Sequence, residues 1–173
     1  MTYSQEEYTR YFIEQALFKL MNEYEFEKIS VTDIVNKAGV GRATFYRYFK
    51  RKEDIIVYYF EHNKQEFMLE QHYYPRCKDD YIQTVTKVLT CFKQHESTFK
   101  LIKNAHLEYI YLEYLNKNFI ALFKNEFADS NGYAPYLYAG MLFNVSMAYL
   151  ESGCSEPIEP LAETIINTIY FNK

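Results

Sequence analysis

Apolar side chains recur every three or four residues through most of this chain, and little interrupts them. Tyr8, Phe12, Ala16 and the run Phe18 to Leu20 are spaced this way, as are Ile55, Ile56, Tyr59 and Phe60. That spacing is the period of an amphipathic α-helix. The 173 residues include only five glycines and four prolines, so long helices and few turns are expected. No alternating run of strand length and no internal repeat occurs. The expected fold class is all-α, with about nine helices.

The breaks place the elements. A first helix is expected over roughly residues 5–24. Ser30 stands three residues before Asp33, the capping-box arrangement that satisfies free amides at a helix start. A short helix should follow, with Ile34, Val35 and Ala38 inward. Gly39 should end it by taking the left-handed backbone of a sharp turn, with Val40 tucked beneath. A second short helix is expected from Gly41 or Arg42 to Tyr48, with Phe45 and either Tyr48 or Phe49 inward. A long helix should run over residues 52–72, closed by Pro75. Helix-length apolar segments then cover residues 80–92, 99–127, 134–151 and 159–171.

Charge is uneven. The chain carries a net −4, yet residues 36–52 hold Lys37, Arg42, Arg47, Lys50, Arg51 and Lys52 and no carboxylate. One basic patch on an acidic body suits a polyanion bound at a single place. The sequence contains no run of eighteen apolar residues and no secretion-type start, so no membrane partner and a cytoplasmic location are expected. Cys77, Cys91 and Cys154 lack metal-ligand spacing, and reduced thiols are the expectation. His62, His72, His95 and His106 are scattered, and no catalytic, metal or cofactor constellation is found.

Two short helices joined by a tight glycine turn and packed on a longer one describe a helix-turn-helix over residues 30–49. Its second helix would enter the major groove of double-stranded DNA by its N-terminal end, presenting Arg42, Ala43, Thr44, Tyr46 and Arg47. Arginine can grip guanine through two hydrogen bonds, and a small alanine permits close approach. Lys50 and Lys52, at the start of the next helix, should neutralise phosphates, helped by free amides there.

The stretch VTDIVNKAGVGRATFYRYFKRKEDI resembles the DNA-binding domain of the TetR family of bacterial transcriptional regulators. The family's pattern is a threonine or serine before the first short helix, then AGV, then T-hydrophobic-Y-x-(Y/H)-F-K-x-K. Ser30 and Thr32, Ala38-Gly39-Val40, and Thr44 to Lys52 fill those places. The likeness covers about residues 6–60. Arg47 stands where histidine is frequent in the family, which adds charge, and the chain is somewhat short for it. Thr32, which fills a place in that pattern, and Lys37, from the basic run, complete the expected DNA contacts.

The resemblance also implies a division into a DNA-binding domain over residues 1–52, a connecting helix over 53–75, and a ligand-sensing and dimerisation domain over 76–173. A cavity is expected among the middle helices, lined by Phe92, Phe99, His106, Tyr109, Tyr138 and Met141. It would suit a flat or cationic apolar effector. A homodimer is expected through the last two helices, by way of Leu137, Met141, Leu161, Ile165 and Ile169. The function so implied is a ligand-responsive regulator, in the first place a repressor on a near-palindromic operator. The competing readings are a protein-binding coactivator of the same fold that does not touch DNA, and an all-α enzyme.

Overall fold

Ser4 opens the first helix. Its hydroxyl accepts from the Glu7 amide while the Glu7 carboxylate accepts from the Ser4 amide, so two donors left over at a helix start are satisfied. A computed structural model of the chain describes residues 4–64, 77–126 and 132–169. Those residues form nine α-helices, a short 3-10 turn and no strand. In order they are α1 (Gln5–Met21), the 3-10 turn Phe26–Lys28, α2 (Val31–Ala38), α3 (Arg42–Tyr48), α4 (Glu53–His62), α5 (Lys78–Gln94), α6 (Glu96–Asn104), α7 (Glu108–Glu126), α8 (Ala134–Glu151) and α9 (Ile158–Ile169).

The chain divides into two compact units, Met1–His62 with Lys100–Ile110, and Asn63–Phe99 with Tyr111–Lys173. The boundary expected after residue 52 therefore falls inside the first unit. The expected connecting helix is described as far as α4, and residues 65–76 lie outside the described residues.

In the first unit α1 packs on α2 and α4, and α2 packs on α3. Ile13, Leu17, Ile34, Phe45, Ile55, Ile56 and Phe60 are fully buried. The ring of Phe18 meets Tyr59 edge-on at 5.1 Å, joining α1 to α4. Tyr8 and Phe12, read from spacing as part of the apolar face of α1, are exposed, and Ile13, Ala16, Leu17 and Leu20 form the buried stripe. Successive steps of four drift about 40° each around a helix of 3.6 residues per turn, whereas alternating steps of three and four hold one face.

One helix expected over residues 99–127 is two. His106 adopts φ 55°, the left-handed region. The Leu107 amide reaches back to the Ile102 carbonyl at 3.0 Å, and the His106 amide to Lys103 at 2.9 Å. This is the Schellman ending usually given to glycine. A histidine at that position carries no sequence signal for a stop.

In the second unit α5 packs against α8 and α9. Phe92 and Phe99 stack at 3.8 Å, with Tyr111 edge-on to both at 5.3 and 5.5 Å. A second ring group joins Tyr81 in parallel with Tyr138 at 5.8 Å, and Phe119 and Phe123 also meet Tyr138. α8 ends through Gly153 at φ 73° and Cys154 at φ 50°. The Tyr149 hydroxyl then donates to the Cys154 carbonyl at 3.1 Å, tying the turn down.

Candidate nucleic-acid interface

The two-helix motif begins with Ser30. Its hydroxyl accepts from the Asp33 amide, and the Asp33 carboxylate accepts from both the Ser30 hydroxyl and amide. The Ser30 hydroxyl, and then its amide, hold the Asp33 carboxyl below its ordinary range, so the cap keeps its charge at neutral pH. Ile34 and Val35 bury one face of α2. Gly39 then takes φ 68°, with the Val40 amide bonded to the Val35 carbonyl at 3.0 Å. No atom stands within 4 Å of where a Gly39 Cβ would lie, so it is the backbone conformation that calls for glycine here.

Gly41 precedes α3, and its carbonyl accepts from the Thr44 and Phe45 amides at 3.0 and 3.1 Å. Phe45 is 0% exposed and touches Phe49 at 5.8 Å, which in turn meets Tyr58 of α4. This single buried ring sets the rotation of α3. Arg42, Ala43, Tyr46 and Arg47 are consequently exposed together, while Thr44 and Tyr48 are half-buried. The far end of α3 is held from α1, where the Arg10 guanidinium lies 5.0 Å from the centre of the Tyr48 ring. Arg10 was not among the sequence expectations, because it lies outside the motif it supports.

The cations of this face have distinct surroundings. The Lys37 ammonium stands 3.7 Å from the Glu23 carboxylate, both exposed, an arrangement worth little in water. Arg51 pairs with Asp54 at 3.4 Å. The Arg42 guanidinium donates to the Thr32 hydroxyl. Lys52 points inward: its ammonium donates to the carbonyls of Phe26 and Ile29 and lies 4.1 Å from the centre of the Phe26 ring. Lys52 was expected at a phosphate, and in this structure it instead fastens the 3-10 turn to the start of α4. The amides of Lys50 and Arg51, expected to be free, are both bonded to Asp54 Oδ2 at 2.8 and 3.0 Å. Arg47 and Lys50 keep side-chain charges with no partner among the described residues.

Residues 13–59 match the family described as bacterial regulatory proteins, tetR family. Over these residues, which hold the two short helices and the Gly39 turn, the chain is similar to the N-terminal domain of that family. HTH-type transcriptional regulators of Staphylococcus aureus, strains bovine RF122 / ET3-1 and USA300, are each 35% identical to this chain over 69 residues. The match spans 40% of this chain and 36% of theirs, so it covers little more than a third of the relatives' length. Among solved structures, Lin0861 of Listeria innocua aligns over 99% of this chain and 94% of its own, with a TM-score of 0.80 at 22% identity. A Syntrophomonas wolfei protein titled a TetR-family transcriptional regulator aligns over 92% of each chain, with a TM-score of 0.61 at 18% identity. These two likenesses are of fold.

The residues expected around an effector are distributed over both units of the chain. Phe92 and Phe99 are buried in one ring cluster, and Tyr138 belongs to the other. His106 and Tyr109 fall in the first unit and are exposed, and Met141 is half-buried. Rings seven residues apart, such as Phe92 and Phe99, meet each other rather than enclosing a space between them. Of the residues expected at a subunit interface, Leu137 is 71% exposed, Ile169 is exposed, and Met141, Leu161 and Ile165 are half-buried. The inward face of α9 is Ala162 and Ile166. Among the described residues no three His, Cys, Asp or Glu side chains gather as metal ligands, and no helix is long and apolar enough to cross a membrane.

Proposed function

We propose that the chain is a DNA-binding transcriptional regulator, a repressor that holds a near-palindromic operator as a homodimer and releases it when an effector binds the second unit. The observation that carries this reading is the rotation of α3. With Phe45 locked inward, the opposite face offers Arg42, Ala43, Tyr46 and Arg47 to a groove, beside Lys50 and without a carboxylate on the helix. A protein-docking face would have no need of unpaired cations arranged in this way. The regulators that match over 69 residues support it. Dimerisation is supported by the apolar residues Leu137 and Ile169 left exposed on α8 and α9, and by the need of such reading heads to reach two half-sites one helical turn apart. An effector would act by re-spacing the heads, a coupling of about 1–3 kcal/mol.

The test is binding to duplex DNA from the region upstream of the chain's own gene. Arg42, Arg47 and Lys50 from each of two subunits supply about six cations, so affinity should fall about 10³-fold between 50 and 200 mM salt. Unrelated duplexes should bind more weakly by about 10³-fold or more. A flat salt response, or no preference for any duplex, overturns the reading in favour of a protein partner.

A further inference from the structure

The Arg42 guanidinium is bonded to Thr32, ten residues earlier and on the preceding helix. Arg42 is the first residue of α3, and Thr32 lies in the first turn of α2. The Gly39 turn folds the second helix start back beside the first, so the contact depends on that left-handed residue. Arg42 is the one cation in the first turn of α3, and the N-terminal end of a recognition helix is the part that meets base edges.

We infer that Thr32 is a positioning residue for base reading: its hydroxyl holds the Arg42 side chain oriented before DNA arrives. The inference rests on the regulator reading above and refines it, since Thr32 was expected among the direct DNA contacts. The chemistry is specific. A guanidinium has five donors and no acceptor, and Thr32 occupies one nitrogen. The remaining donors still form the planar fork that matches the O6 and N7 acceptors of guanine. An unrestrained arginine loses most of its rotamer freedom when it grips a base. One already tied at a single nitrogen loses less, so affinity for the correct base rises while affinity for other duplexes hardly changes. A threonine acting on a phosphate would behave oppositely, helping every duplex alike.

The experiment uses the full chain. The wild type first selects its preferred duplex from a random pool, and the base pair read by Arg42 is located as the position where Arg42→Ala abolishes discrimination. Thr32→Val keeps the shape and removes the hydroxyl. It should lower discrimination at that base pair by about 3- to 10-fold, the scale of ordering one flexible side chain. Affinity for random duplex and its salt slope should stay at the wild-type values. In an Arg42→Ala background the same change should have no effect, because the residue it positions is gone. Thr32→Ser should restore wild-type discrimination, and Thr32→Ala reports the same loss if valine disturbs α2. Loss on all duplexes alike with a shallower salt slope would make Thr32 a phosphate contact and overturn the inference. An effect unchanged by Arg42→Ala, or no effect at all, overturns it as well. If the wild type selects no sequence, the regulator reading itself fails, whereas selection with an additive cycle removes only the role of Thr32.

Discussion

The Lys52 ammonium donates to the carbonyl oxygen of Ile29 at 3.0 Å while lying 4.1 Å from the centre of the Phe26 ring. Two segments of the first unit that are more than twenty residues apart in sequence are thereby tied to each other. A half-buried cation with two carbonyl acceptors and a ring face is more than a surface charge.

Lys52→Met should therefore lower stability by about 1–3 kcal/mol, the range for hydrogen bonds to a charged group with a ring contact added. Lys50→Ala, with a free side-chain charge, should leave the melting temperature in place and reduce the salt slope of DNA binding by about one per subunit. Thermal melts of the two variants beside their salt titrations separate the roles. Equal melting temperatures would show that the Lys52 clamp contributes nothing.

Glu14 supplies a pH dependence. It is 2% exposed. One carboxylate oxygen accepts from the Gln15 side-chain amide at 3.1 Å and the other has no hydrogen-bond partner. Burial, only partly opposed by Gln15, raises its pKa from 4.5 to about 7. Below pH 4.5 both folded and unfolded chains hold the proton. Between 4.5 and 7 the folded chain keeps a proton that the unfolded chain has lost, so this group makes stability fall as pH rises. Above 7 the full penalty stands. Glu14→Met, similar in volume and without charge, should remove that slope and add roughly 1–3 kcal/mol at pH 8. Urea unfolding at pH 5 and pH 8 reads the difference, and an equal gain at both would show that the carboxylate is not titrating.

The two left-handed stops should respond in opposite directions. His106→Gly relieves a side chain at φ 55° and should stabilise by about 0.5–1 kcal/mol. Gly39→Ala places a methyl group at φ 68° and should destabilise by about 1–2 kcal/mol. Shifts of the urea midpoint at constant slope are the measurement.

Leu137 tests assembly. At 71% exposure it can be replaced without disturbing a monomer's core, so Leu137→Glu should leave the melting temperature of an isolated subunit unchanged. Sedimentation should shift from dimer to monomer, with a loss of DNA affinity. A wild type that sediments as a monomer at micromolar concentration removes the dimer from the proposal, and a dimeric variant moves the interface away from α8.

What could be read in the sequence was local. Ser30 and Asp33, three residues apart, and Gly39 with Val40 each declare their structure within one helical turn, and all are found as expected. Phe45 was legible as buried because its neighbours on α3 are polar or small. The misreadings involve partners far along the chain. Nothing near Lys52 points to carbonyls twenty-three and twenty-six residues earlier. Nothing near Tyr48 points to Arg10. The break at His106 was missed because a residue other than glycine takes the glycine conformation. In the second unit the abundance of rings was visible, but which rings would pair depends on packing between helices, and spacing within one helix does not determine it.

The separation between tethered and untethered cations has a kinetic consequence. Arg47 and Lys50 can meet a polyanion without breaking any internal bond, so they are suited to the first encounter and to one-dimensional diffusion along non-specific duplex. That phase is driven by counterion release and depends on salt. Arg42 keeps its charge, but its restraint by Thr32 would matter only once the correct base is met. Arg47 and Lys50 would then act on both the search and the hold, whereas the Thr32–Arg42 contact would act only on how long the correct site is held.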